Sequence, residues 1–505
     1  MVLRDKIRSG ALWIVCGRMG AQVVQLGFTV VLARTLSPRE FGAIGMLVVF
    51  TGFAQLLADS GLGSALIHKE KLTEQHRVTA FWMQLVVGLF LSATFMLAAP
   101  LFARFYNLPL LKSMTRLVSV VFAIQAAGQT HYALLAREFR FQRVAVANIS
   151  ATVVSGTIAV ALALNGYGVW ALVWQMIAFA AANAVLYTLF SEWRLHFGFE
   201  RAAALELGRY AIYVLGFNSL NYWARNGDNL TIGKVLGSPA LGIYSRAYNL
   251  MLLPITNVSS VLGQVFFPAL SRLQNDLLRF RQVYLSAIQM IALFTFPLMA
   301  GMSVLSRPLI DVLFGAQWVA MVPLLKVLSL IGLVQSIVNP VGWIFNSLGK
   351  TKIQFQISAF LLLAFATAIL IGIRHGLLGV VYAYALWAVL SSGTALHFAG
   401  RLIHLSIGDV VRGLSRILGM TAVMAIFVYC VDNELARLVT SALRLVLGSL
   451  IGAGAYLALC VALRDETFAS LRRHMMECKQ TTGGGAAGPK GLEEAVAVAV
   501  VTEGD

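Results

Sequence analysis

Charge is scarce in this chain: Asp, Glu, Lys and Arg make up 12% of its 505 residues, against 59% hydrophobic ones. A soluble core buried on all sides would not show over a dozen apolar segments of roughly 20 residues separated by short charged turns. The pattern is that of a polytopic membrane protein. Cysteine is scarce too. Cys16, Cys430, Cys460 and Cys478 lie far apart, which excludes a disulfide framework, a CxxC pair and a zinc spacing. The eight histidines are scattered, and His397 and His404 stand at a helix end without a carboxylate partner, so they read as interfacial residues. No metal or other cofactor is expected.

What charge there is leans basic, with a net of +17. In a soluble chain that would suggest nucleic acid. Here most Lys and Arg fall in the turns between apolar segments, where they act as topology signals. The start, "MVLRDKIRSGALWIVCGRMGAQVVQLGFTVVLA", has the basic-then-apolar order of a signal peptide. It is longer than a signal-peptide core and is interrupted by Arg18, Gln22 and Gln25, so it reads as a first transmembrane helix.

Apolar windows place helices near 10–34, 41–66, 79–103, 114–135, 144–164 and 167–190, then near 210–235, 240–268, 282–305, 318–347, 353–373 and 376–400. Two more fall near 410–431 and 440–462. The expected class is all-α integral membrane, with about 14 transmembrane helices. It divides into an N-terminal six-helix lobe (1–190), a cytoplasmic linker (191–209), a C-terminal six-helix lobe (210–400) and two trailing helices (401–463). The Gly/Ala-rich tail (464–505) lacks an amphipathic period and reads as disordered. With the N-terminus cytoplasmic, that side collects Arg4, Lys6, Arg8, Arg137, Arg140, Arg143, Arg194, Arg201, Arg279, Arg281 and Lys350, among others. Both termini are then inside. The turn around Arg104, Lys112 and Arg116 is the one poor fit.

Internal repetition supports two related halves. "LSPREFGAIGM" after the first helix recurs as "LGSPALGIYSR" after the seventh, and "GYGVWALVW" is echoed by "GLLGVVYAYALW". "QRV" at Gln142 meets "TKI" at Thr351, and all three offsets are a little over 200 residues. A duplicated block of six helices keeps its orientation because six is even.

Six ionisable residues inside the helices are hard to move to an interface: Arg18, Asp59, Arg225, Asp228, Arg246 and Lys326. At roughly 2.5 to 3.5 kcal/mol each for a lipid-facing charge, most must face protein or water. They have polar company. Asn218, Asn221, Arg225 and Asp228 fall within an arc of about 80° of one helix. Arg18, Gln22 and Gln25 share a face at the equivalent repeat position. Thr51, Gln55 and Asp59 follow on the second helix, and Arg246, Asn249, Thr256, Asn257, Ser260 and Gln264 line the eighth. Interhelical hydrogen bonding accounts for any one of these residues. Four stripes at repeat-related positions favour a water-filled cleft between the halves. Lys326 has weaker company and reads as a paired or snorkelling lysine. Arg18, Arg225 and Arg246 suit a phosphate group, because guanidinium forks match phosphate oxygens and stay charged. Asp59 and Asp228 are the groups that could titrate in proton coupling. Pro254, Pro297 and Pro340 permit bends within three helices, useful either for motion or as static kinks.

"LARTLSPREFGAIGM", "LLADSGLGSALI", "GDNLTIGKVLGSPALGIYSRAYNLMLLPI" and "VFFPALSRL" closely resemble the Wzx-type polysaccharide flippases, in the branch for exopolysaccharide and colanic-acid-like export. That branch belongs to the multidrug/oligosaccharidyl-lipid/polysaccharide exporter superfamily. The resemblance runs from about Ile7 to the end of the last helix, and is most specific at Asp228-Asn229 and at the Gly-rich turn with Tyr244. It implies two six-helix bundles in a V shape plus two trailing helices, and transport of an undecaprenyl-diphosphate-linked oligosaccharide across the bacterial inner membrane by alternating access. The family's cationic lumen matches Arg18, Arg225 and Arg246, and its proton or sodium antiport is carried onto Asp59 and Asp228. The expected partners are the lipid-linked substrate, membrane lipids and a polysaccharide polymerase, and a monomer is expected because a two-lobed transporter closes its pathway within one chain.

Two other transport readings stay open. A drug or metabolite antiporter of the superfamily fits less well, because the multidrug branch relies on acidic cavity residues and this set leans cationic. A lipid II flippase shares the cationic cavity. Polytopic polymerases, ligases and lipid-linked glycosyltransferases carry long outer loops with clustered Arg, His or Asp. Here every expected outer loop is short and offers no nucleophile with a base, which argues against an enzyme.

Overall fold

The structure, a computed structural model, describes residues 2–463 except Ser60, Glu70 and Lys71. At 2–16, 18, 59, 68 and at 206–207, 209–218, 220–221 and 224 the backbone alone is described. The tail expected to be disordered lies outside the described residues.

Every regular element among the described residues is helical. In order they are α1 (Val2–Thr35), α2 (Pro38–Asp59), α3 (Leu62–His68), α4 (Glu74–Tyr106), α5 (Leu110–Val118), α6 (Val120–Arg137), α7 (Phe141–Leu164), α8 (Val169–Phe190) and α9 (Arg201–Arg272). Then come α10 (Leu277–Val304), α11 (Ser306–Leu313), a 3-10 turn (Ala316–Met321), α12 (Val322–Val338), α13 (Val341–Ser347), α14 (Thr351–Gly372), α15 (Gly376–Leu402), α16 (Ile407–Leu435) and α17 (Ser441–Ala462). Eleven stretches among the described residues are long and apolar enough to cross a membrane. One of them, Thr351–Leu402, contains both α14 and α15, and α9 is broken at Gly237 (φ 83°, ψ 179°). The chain is thus an all-α integral membrane protein, in an order compatible with fourteen passes.

Three expected helices are divided, two of them at residues with a local backbone cause. The one at 41–66 is α2 followed by α3, joined through Gly61 at φ 66°, a left-handed conformation that glycine adopts without a Cβ clash. The one at 114–135 is α5 followed by α6, meeting at Ser119. The one at 318–347 splits at Pro340, whose missing N–H interrupts the hydrogen-bond ladder. Pro297, in contrast, sits inside an unbroken α10.

The chain forms two compact units, Met1–Gly242 and Ile243–Asp505. In the first, small residues let backbones approach, as membrane helices require when lipid is as apolar as the side chains. A Cβ on Gly17 would lie 2.4 Å from Ala145 Cβ, one on Gly88 2.5 Å from Ala126 Cβ, and one on Gly128 2.8 Å from Ala184 Cα. These contacts join α1 to α7, α4 to α6, and α6 to α8. Phe95, Phe122, Phe102 and Phe50 fill the space beside α2. In the second unit α10 is central, with Phe280, Tyr284, Ile288 and Phe296 buried against Val341, Ile344, Ile417 and Met424. Tyr456 of α17 donates to the Leu293 carbonyl at 3.1 Å. The capping box of Ser406 and Asp409 starts α16, satisfying backbone donors that a helix start leaves open.

Candidate functional site

Within the first unit, α2 and the limb of α9 before Gly237 run antiparallel. Gly42 meets Ser238, Met46 meets Gly233, and Gly52 meets Tyr222. The Tyr222 hydroxyl donates to the Val49 carbonyl at 2.7 Å. The Trp223 ring packs on Phe53 and Phe50, with centroids 5.2 and 6.5 Å away. These contacts fix the limb at the turn that precedes Arg225 and Asp228. The helix that the repeat assigns to the second half therefore docks on α2.

Arg225 and Asp228, three residues apart, have different surroundings. Arg225 is exposed, and its guanidinium makes no hydrogen bond or ion pair among the described residues. Asp228 is buried, with its Oδ1 accepting the Asn229 backbone N–H at 2.7 Å. Asn229 is half-buried, and its Oδ1 is buried with no hydrogen-bond donor among the described residues. The arginine is thus not neutralised by its neighbouring carboxylate.

On α1, Gly17, Gly20 and Phe28 face α7. At 100° per residue Gln22 and Gln25 lie roughly 90 to 150° round the helix from that face. Gln22 is half-buried and Gln25 exposed, and Gln55 on α2 is half-buried. None of these three amides bonds to another described residue. The hydroxyls behave differently, as Thr29 donates to the Gln25 carbonyl at 2.8 Å and so satisfies itself within its own helix. The side chains of Arg18, Asp59, Asn218 and Asn221 lie outside the described residues.

The second unit carries the rest of the set on the limb of α9 after Gly237. Arg246 and Asn257 are half-buried, and Asn249 and Gln264 are exposed. The amides of Asn249, Asn257 and Gln264 have no hydrogen bond among the described residues. Thr256 and Ser260 again bond back to their own helix, at 2.9 and 3.1 Å. Each unit therefore presents long polar side chains that its own packing does not use. In hydrocarbon an amide left this way costs about 4 kcal/mol, whereas facing water it costs little.

The sequence reading passed over two aromatic features. Tyr222 and Trp223 hold the Arg225 turn, and the signal was there in "NYWARNGDN". In the second unit, Gln335 donates to the Tyr384 hydroxyl, which donates to the Tyr248 hydroxyl at 3.4 Å. Tyr384 also stacks on Trp387, with centroids 5.9 Å apart. No sequence period marks this network, because its members come from α9, α12 and α15.

A family profile described as "Polysaccharide biosynthesis protein" matches residues 31–323, more than half of the chain. The teichuronic acid biosynthesis protein TuaB of Bacillus subtilis is 27% identical over 476 residues, covering 93% of this chain and 98% of TuaB. The succinoglycan biosynthesis transport protein ExoT of Rhizobium meliloti is 27% identical over 475 residues, covering 92% and 94%. Among solved structures, the lipid II flippase MurJ in its inward closed conformation aligns with a TM-score of 0.71 at 16% identity. That alignment covers 90% of this chain and 99% of MurJ, so the two share a fold.

Proposed function

Because the chain belongs to the polysaccharide biosynthesis protein family, we propose that it is a flippase for undecaprenyl-diphosphate-linked oligosaccharide repeat units. It moves them from the inner to the outer leaflet of the bacterial inner membrane, for exopolysaccharide or lipopolysaccharide assembly, by alternating access along a cationic, hydrated path. The observation that carries this reading is Arg225, a permanent cation exposed on an apolar helix with no partner among the described residues. Facing lipid it would cost about 3 kcal/mol, so it faces water or substrate. A guanidinium in that position matches the diphosphate, the charged group that such substrates share whatever their sugars. Arg18 and Arg246 are proposed as further phosphate ligands, and the unbonded amides as contacts for sugar hydroxyls.

The charge balance favours this substrate over a cationic drug, since Asp228 is buried and Arg225 is the exposed member of the pair. Ion coupling is assigned to Asp59 and Asp228. The chain acts as a monomer with both termini cytoplasmic, and a polysaccharide polymerase is the candidate partner that consumes its product. A transporter rather than an enzyme fits relatives such as ExoT, whose name is that of a transport protein.

The test uses cells lacking the protein, complemented with wild type or Arg225→Ala, and measures surface polysaccharide beside the pool of completed lipid-linked units. Trapped units and lost polymer, rescued by wild type and poorly by Arg225→Ala, are expected. Normal polymer with no trapped intermediate in the deletion strain overturns the reading and points to drug or metabolite export.

A further inference from the structure

The basic turn that fits the topology rule poorly forms a pocket of its own. α5 is strongly amphipathic: Leu111, Met114, Thr115 and Val118 are buried at helical spacing, while Lys112, Ser113 and Arg116 point outward. Lys112 and Arg116 are one turn apart, and neither side chain has an ion pair or hydrogen bond among the described residues. They border a cavity of about 550 Å³ whose other walls include Met96, Val120 and Trp170. Met96 and Val120 are 45% and 41% exposed, so the apolar wall opens outward rather than into the protein core. Trp170 stands in the first turn of α8, at the end of a membrane-spanning helix, where indoles mark the boundary between acyl chains and headgroups.

Two unpaired cations above an apolar wall, at the level of an interfacial tryptophan, match one amphiphile in charge and shape. We propose that this pocket binds an anionic phospholipid, its phosphate on Lys112 and Arg116 and its acyl chain along Met96 and Val120. Basic side chains at a membrane surface bind such headgroups through attraction to the anionic phosphate, about 1 kcal/mol per Lys or Arg, and through charge-assisted hydrogen bonds to its oxygens. The Ser113 hydroxyl gives its proton to the Leu110 carbonyl at 3.1 Å, leaving its oxygen to accept from a headgroup hydroxyl. A zwitterionic lipid brings its own cation beside the phosphate and gains less. The pocket uses none of the residues assigned to the transport path, and it gives these cations a role that topology does not.

Native mass spectrometry of the full-length protein, delipidated and then supplied with phosphatidylglycerol or phosphatidylcholine of identical chains, tests the proposal. Retention of phosphatidylglycerol over phosphatidylcholine is expected, reduced roughly 25-fold in Lys112→Gln/Arg116→Gln. Arg116→Lys with Lys112→Arg keeps both charges and is expected to retain the lipid, which separates loss of charge from misfolding. Equal retention of the two lipids by wild type, or unchanged retention in the Gln variant, overturns it. Displacement of phosphatidylglycerol by an equal concentration of a polyprenyl monophosphate would also overturn it, assigning the pocket to the transported class of lipid. Displacement by millimolar inorganic phosphate would do the same, because the apolar wall would then contribute nothing.

Discussion

Gly42 and Gly242 abut backbone to backbone. A Cβ on Gly42 would lie 1.6 Å from the Ser238 carbonyl oxygen, and one on Gly242 would lie 2.0 Å from that of Pro38. Each would also come within 3.0 Å of the other glycine's amide nitrogen. The two segments are the repeated motifs, Ser37-Pro38 leading to Gly42 and Ser238-Pro239 leading to Gly242. The same kind of corner thus stands on two helices, and their contact uses both copies face to face. Glu40 accepts from the Ser37 backbone N–H at 2.7 Å and stabilises the first corner.

Gly42→Ala is expected to destabilise the protein by at least about 1–3 kcal/mol, because the obstructing atom is backbone and cannot rotate away. Gly27→Ala is the control, since a Cβ there meets nothing within 4 Å. Thermal melting of detergent-solubilised protein, followed by size exclusion, compares the two. Equal melting would show that the crossing is not tight.

The fold was largely legible in the sequence because lipid demands long apolar helices, and breaks such as Gly61 and Pro340 coincide with residues whose backbone preferences announce them. What a period cannot reveal is the neighbour. Arg225 and Asp228 lie about 60° apart on one helix, so geometry alone puts them in one stripe. The packing of that helix in the fold leaves Arg225 exposed and Asp228 buried. The pocket at α5 escaped for the same reason. Lys112 and Arg116 registered as a topological misfit, while Met96 and Trp170 belong to α4 and α8, far away in sequence.

The two trailing helices are joined by a bidentate pair. Arg444 donates to both Asp432 oxygens, at 2.9 and 2.7 Å, and the side chains are only 14% and 13% exposed. Removing one partner leaves the other desolvated without its counter-charge, so Asp432→Ala is expected to cost about 1–3 kcal/mol. The exchange Asp432→Arg with Arg444→Asp should recover part of that loss. A double-mutant cycle on thermal stability measures it, and a coupling near zero would mean that the pair is ornamental.

The loop after α8 should respond to acid. Arg140 donates to Glu192 and thereby holds its carboxyl below the ordinary value of 4.5, with the charges of Arg140 and Arg143 adding to the effect. Because the folded value is depressed, the contribution is complete above pH 4.5 and is lost as pH falls through the lower folded value. A spin label at Leu195→Cys, in a background with the native cysteines replaced by serine, is expected to gain mobility only below about pH 4.5. Glu192→Gln should be mobile already at neutral pH and flat with acid. A wild-type transition centred near neutrality would assign the response to another group.

Asn229 offers a test in which stability and transport move apart. Its Oδ1 is buried with no donor among the described residues, next to the exposed Arg225 turn. An unpaired buried acceptor carries a desolvation cost of about 1–3 kcal/mol, and an apolar group of similar shape removes it. Asn229→Leu is therefore expected to melt at the wild-type temperature or above. If Asn229 is kept for a substrate hydroxyl, the same variant should accumulate lipid-linked units and make less polymer. Comparing melting temperature with the lipid-linked pool in one strain distinguishes the roles. A variant that is less stable and exports normally would show that Asn229 serves the packing of α9, leaving Arg225 to carry the substrate argument alone.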